Sequence, residues 1–305
     1  MSHDHSHHHH HHHAVAPTNV TTPFVIGIIL NFLFVLIEVF TGLYIHSLSL
    51  LSDAGHNLAD VGALALSLLA FRLLKVKSND RFTYGYRKTS ILVALFNASI
   101  LLVSIGAILF EAAHRLFHPE PLPGITVSIV AGIGIVINAS SALLFFRDKD
   151  NDLNVKGAYL HLMSDAIVSF GLVIGGVIIY YTHFYLIDSI LSIIIAIVIF
   201  MSTWQLLKDS LRLSMDGVPE NIHLEEIKTA AMKVNGVKDF HHIHIWAIST
   251  NENALTAHLV LSKDTTIEQE AKIKHNLKHQ LEHQNIQHIT LETERDNQHC
   301  AEAIC

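Results

Sequence analysis

Two histidine–aspartate pairs recur at one spacing, His56 with Asp60 in SLLSDAGHNLAD and His161 with Asp165 in GAYLHLMSDAIVSFG. Residues four apart stack one turn above each other on a single helix face. Two such faces brought together supply two imidazoles and two carboxylates, a complete ligand set for tetrahedral Zn²⁺. Polar side chains inside apolar helices also serve as hydrogen-bonding groups between helices, and one pair alone would be explained that way. Two matched pairs are harder to assign to packing, because Asp53, Asp60 and Asp165 each cost roughly 2.5–3.5 kcal/mol on the membrane-insertion scale. Asp53, three residues before His56, lies on a neighbouring face and reads as a supporting group or an interhelical acceptor. Glu38 and Asn97 read as polar glue between helices.

The elements that must hold these pairs are membrane helices. The chain has 305 residues, 50% hydrophobic and only 15% charged, with a mean hydropathy of +0.38; soluble domains run near a quarter charged. A spanning helix needs about 20 mostly apolar residues. Six segments qualify: Phe24–Ile45, Leu48–Leu74, Ile91–Ala113, Ile125–Phe146, Ala158–Tyr181 and Leu186–Leu207. The loop between the second and third carries Lys75, Lys77, Arg81, Arg87 and Lys88, and that between the fourth and fifth carries Arg147, Lys149 and Lys156. Lys208 and Arg212 follow the sixth. The loops after the first and fifth hold no Lys or Arg, and the one after the third only Arg115. The positive-inside rule places the rich loops in the cytoplasm, and with six spans both termini as well.

Residues 23–208 thus read as a six-helix membrane domain. Residues 209–305 turn polar and read as a small cytoplasmic α+β domain in the order αββαβ: helix Asn221–Val234, strands Val237–Ser249 and Ala254–Ser262, helix Thr266–His283 and strand Ile286–Glu294. One antiparallel sheet covered by two helices is the expected layering. Residues 1–22 are low complexity, with histidine at nine of the first thirteen positions. Such a run can be a purification tag, but His3, Asp4 and His5 continue the pattern upstream, which favours a native metal-sequestering tail. No cleavable signal peptide is visible. The two cysteines, Cys300 and Cys305, sit at the extreme C-terminus, which excludes a disulfide-stapled secreted fold. With His299 they could add metal ligands, although their spacing is not C-x-x-C. The formal net charge of −7 provides no footprint for nucleic acid.

The runs SLSLLSDAGHNLAD and LNVKGAYLHLMSDAIVSFG, together with YGYRK ahead of the third span, resemble the cation diffusion facilitator family. HHIHIWAIST followed by ALTAHLVL is similar to the cytoplasmic domain of its zinc-transporting members. The resemblance covers nearly the whole chain beyond the histidine tail. It implies a homodimeric zinc/proton antiporter with a ferredoxin-like cytoplasmic domain and regulatory zinc sites at its domain or dimer interface. Those sites match best at His241 and His258, then at His288 and Glu294. The chain departs from many relatives in carrying Ser90 where they have an acidic residue. It also has a short loop between spans four and five where they have a histidine-rich one.

The expected activity is efflux of Zn²⁺, with Cd²⁺ and Co²⁺ as further candidates, through His56, Asp60, His161 and Asp165. Metal arrival at such a cluster must release protons, and the competition suffices for antiport if the site opens alternately to either side. The expected location is a bacterial inner membrane, and no enzyme activity is expected. A membrane metalloprotease would carry H-E-x-x-H, which is missing from the sequence. A metal channel or passive facilitator is the alternative, although a tight four-ligand site disfavours rapid conduction.

Overall fold

The computed structural model describes residues 21–44, 48–117, 124–182, 184 and 186–296. Six long helices come first: α1 (Thr21–Tyr44), α2 (Leu48–Leu73), α3 (Thr89–Phe117), α4 (Gly124–Phe145), α5 (Leu153–Thr182) and α6 (Leu186–Ser214). Among the described residues, Thr21–Thr41, Thr89–Phe117, Gly124–Phe145 and Leu153–Thr182 are long and apolar enough to cross a membrane. The helix α2 carries Asp53, Asp60 and Arg72 along its length. The helices α3, α5 and α6 run beyond the apolar segments read from sequence; α5 starts at Leu153 and α6 continues to Ser214.

The packing that aligns α2 with α5 is aromatic and aliphatic at one end. Phe24 meets Phe71 and Phe145 at ring-centroid distances of 5.4 and 4.8 Å, in a cluster with Leu64, Ala142, Val155, Ala158 and Leu162. The helices α4 and α5 touch backbone to backbone. A Cβ on Gly176 would lie 2.2 Å from Ser128 Oγ and 2.8 Å from the Gly124 carbonyl oxygen, so only glycine permits this approach. Buried amides tie the bundle laterally: Asn57 donates to Glu38 at 2.8 Å between α2 and α1. Asn97 donates to Ser67 at 2.8 Å between α3 and α2. These are the interhelical roles expected of Glu38 and Asn97.

The polar part contains α7 (Leu224–Met232), β1 (Val237–Ala247), β2 (Asn253–Leu261), α8 (Ile267–Glu282) and β3 (His288–Arg295). The αββαβ order matches the sequence reading, but the sheet is not antiparallel throughout. The strands β1 and β2 pair antiparallel, whereas β2 and β3 pair parallel, in the order β1-β2-β3. The reason is the connection: a tight turn reverses the chain between β1 and β2, while the α8 crossover brings β3 back in the direction of β2. Thr266 caps α8 in a reciprocal capping box with Gln269. The helix α7 is shorter than its apolar pattern and starts after a turn in which Ile222 N–H donates to the Pro219 carbonyl. Phe240, Leu255, Leu259, Leu261, Leu277, Leu281 and Ile286 form a closed core, each contributing about 1.5–3 kcal/mol by its burial.

Candidate metal centre

The packing of α5 on α2 brings three of the four candidates on these helices together. His161 Nε2 lies 3.0 Å from Asp60 Oδ1 and 3.7 Å from Asp165 Oδ2. One ligand atom from each of Asp60, His161 and Asp165 falls within 4.8 Å of the others. Asp60 and His161 are buried, and Asp165 is partly so. His161 and Asp165 come from one face of α5, as their spacing requires, while Asp60 enters from α2. His56 stands one turn before Asp60 on α2; its side chain, like that of Asp53, lies outside the described residues. An imidazole nitrogen with two carboxylates beside it, largely buried, presents borderline nitrogen and hard oxygen donors, a set suited to Zn²⁺.

A second cluster forms on the sheet. His258 Nδ1 lies 2.5 Å from Glu294 Oε1, and His241 Nε2 lies 3.8 Å from Glu294 Oε2. The ligand atoms of His241, His258 and Glu294 also fall within 4.8 Å of each other, all half-buried. The register explains the convergence, since His241 stands opposite His258 across the β1–β2 ladder. A bulge follows: His244 pairs with Thr256, so three steps on β1 match two on β2. At the bulge His242 adopts a left-handed φ of 49° and stacks on His258 at 4.7 Å. Sequence periodicity alone could not place His242 here, because the extra residue shifts the alternation of faces. Asp239, which sequence analysis did not single out, holds His241 Nδ1 at 3.0 Å; the Asp-x-His spacing on one strand face was the available signal.

His288 does not join this cluster. It begins β3, paired in register with Ala254, whereas Glu294 pairs with Val260. Six strand residues separate the two by about 20 Å. His288 Nε2 instead lies 3.3 Å from Arg87 Nη1, with its ring edge-on to Tyr84 at 5.6 Å. The histidine tail and the segment with His299, Cys300 and Cys305 lie outside the described residues.

A family model for the cation efflux transmembrane domain matches residues 24–213. The chain belongs to the cation efflux family. A second model, for the cytoplasmic domain of cation efflux proteins, matches residues 219–296. The chain is 35% identical over 265 residues to the cadmium, cobalt and zinc/H(+)-K(+) antiporter of Bacillus subtilis, covering 86% of this chain and 85% of that protein. It is 36% identical over 270 residues to the metal cation efflux system protein CzcD of Cupriavidus metallidurans, covering 88% and 85%. It is 33% identical over 267 residues to the zinc transporter ZitB of Escherichia coli, covering 86% and 83%. These relatives are transporters, not enzymes. As a cation efflux protein with several apolar helices, the chain is a multi-pass integral membrane protein with a cytoplasmic domain.

Proposed function

We propose that this cation efflux protein exports Zn²⁺ from the cytoplasm in exchange for protons, with Cd²⁺ and Co²⁺ as secondary cargo. The observation that carries the reading is the convergence of Asp60, His161 and Asp165 between α2 and α5. His56 completes a four-ligand site from the turn of α2 preceding Asp60. Two carboxylates balance the charge of the cation, and protons compete with it for the same oxygen and nitrogen lone pairs. Loading with metal therefore releases protons, and protonation from the far side releases metal. Alternating exposure of the site converts this competition into antiport.

The arrangement around the site follows. The helices α1 to α6 carry six membrane spans within residues 23–208, with both termini cytoplasmic in a bacterial inner membrane. Residues 209–305 form a ferredoxin-like cytoplasmic domain in which His241, His258 and Glu294 bind regulatory Zn²⁺; His288 stands apart, against Arg87. Residues 1–22 form a tail that gathers metal near the cytoplasmic mouth, and two copies of the chain make a homodimer. The names of the relatives support zinc, cadmium and cobalt as the cargo class. The test is counterflow of radioactive zinc in proteoliposomes under an imposed pH gradient. Saturable zinc flux with opposite proton movement is expected; unsaturable flux indifferent to the gradient would overturn antiport in favour of a channel.

A further inference from the structure

One buried carboxylate takes no part in either cluster. Asp152, 4% exposed, immediately precedes α5. Its Oδ1 accepts the backbone N–H groups of Asn154 at 2.7 Å and Val155 at 3.2 Å, so the side chain caps the helix that carries His161 and Asp165. Its other oxygen, Oδ2, accepts the hydroxyl of Thr250 at 2.5 Å, and Thr250 belongs to the turn between β1 and β2. One carboxylate therefore grips the start of a membrane helix with one oxygen and the cytoplasmic sheet with the other. Burial pushes the Asp152 carboxyl above the usual range, against the pull of these hydrogen bonds. Burying a charge-bearing group costs free energy unless it is well partnered, and the cap alone would not require burial on the sheet side.

The surroundings reinforce the grip. Thr250 N–H donates to Ser90 Oγ at 3.2 Å, and the Ser90 carbonyl accepts from Asn154 Nδ2 at 3.0 Å. Ser90, at the start of α3, thus touches both sides of the joint. Arg87 forms an ion pair with Glu252 on the same turn. Beneath these polar contacts, Ile91, Leu213 and Ala247 pack with Leu153, so α3, α5, α6 and β1 share one apolar seat.

We propose that Asp152 is a positioning residue for transport: by holding Thr250 while capping α5, it ties the metal-bearing helix to the β1–β2 turn of the cytoplasmic domain. His161 lies nine positions beyond Asp152, about 13 Å along the helix. A shift of the turn is thereby delivered to the site as a shift of α5 along or about its axis. This rests on the reading of Asp60, His161 and Asp165 as the transport site.

The test uses the full-length protein in proteoliposomes. Thr250→Val keeps the shape of the side chain and removes the hydroxyl. Asp152→Ser keeps a good helix cap and is too short to reach Thr250. Each variant should lower maximal zinc turnover about tenfold, the equivalent of about 1.4 kcal/mol, with less than a twofold change in half-saturation. Thr250→Ser, which restores the hydroxyl, should recover turnover. The double variant should be no slower than the slower single one, because both break one contact. Hydrogen–deuterium exchange in the whole protein should rise together at 249–252 and 152–156 in Thr250→Val. Wild-type turnover in both single variants, or additive losses in the double, would overturn the clamp. Failure of the underlying reading shows itself separately, as an unchanged half-saturation for zinc in Asp60→Asn.

Discussion

Replacing Asp60 with asparagine removes one negative charge from the cluster between α2 and α5 without changing the volume of the side chain. In the wild type this carboxylate is 3% exposed and stands 3.0 Å from His161 Nε2, so water cannot replace it without repacking of α2 against α5. A divalent cation in the altered site keeps one carboxylate instead of two and carries one uncompensated positive charge. An unbalanced charge at that depth costs roughly 2.5–3.5 kcal/mol. At about 1.4 kcal/mol per factor of ten, half-saturation for zinc should rise roughly 60- to 300-fold. Asp165→Asn should cost less, because its carboxylate lies 3.7 Å from His161 Nε2 and its side chain is 14% exposed, so water can supply a substitute ligand. The assay is initial-rate uptake of radioactive zinc into proteoliposomes at fixed pH gradient, with thermal melts in detergent to show that each variant is folded. A half-saturation for Asp60→Asn within threefold of wild type would refute Asp60 as a zinc ligand.

Deletion of residues 1–16 should lower uptake at scarce zinc while leaving the maximal rate intact, since a histidine tail without apolar anchors can only concentrate metal; loss of flux at saturating zinc would contradict this. His56→Asp should relax discrimination against Mn²⁺ and Cd²⁺, because a third carboxylate admits harder ions of higher coordination; competition assays giving an unchanged preference order would remove His56 from the ligand set. Glu270 accepts from Lys274 and Arg295, each at 2.7 Å, and the Lys274 contact above all holds its carboxyl below the usual range. A depressed folded value means stabilisation that is full above the ordinary glutamate range and lost as pH falls through the folded value. Glu270→Gln should therefore speed amide exchange in α8 and β3 by the equivalent of about 1 kcal/mol at neutral pH, and the difference should close in acid.

The sequence disclosed what depends on short-range periodicity. The i, i+4 pairs on α2 and α5 needed only helix geometry to put His161 above Asp165, and the αββαβ order followed from alternating patterns between turn residues. The direction in which β3 returns beside β2 was hidden, because it depends on the handed crossover through α8 and not on any pattern within HITLETER. That His242 joins His241 and His258 was hidden for a local reason, the one-residue bulge that resets the faces of β1. His288 shares the parity of Glu294 along β3, yet stands six residues away beside Arg87; parity gives a face, not a position along it. Asp152 and Thr250, 98 residues apart in sequence, are joined by tertiary packing alone.

The sheet order β1-β2-β3 leaves β1 and β3 as the two rims. Exposed rims of open sheets are where foreign strands add on and fibres begin, and charge and irregularity are the usual defences. Both defences are present here. The strand β3 ends in the charged run Glu292, Thr293, Glu294, Arg295, and β1 is broken by two register shifts, one after Val237 and one after His241. A strand approaching β3 would have to bury carboxylates, and one approaching β1 would lose its ladder within a few residues. Among the described residues, the two rims thus disfavour strand addition and leave side-chain surfaces as the easier route for one copy of the chain to meet another.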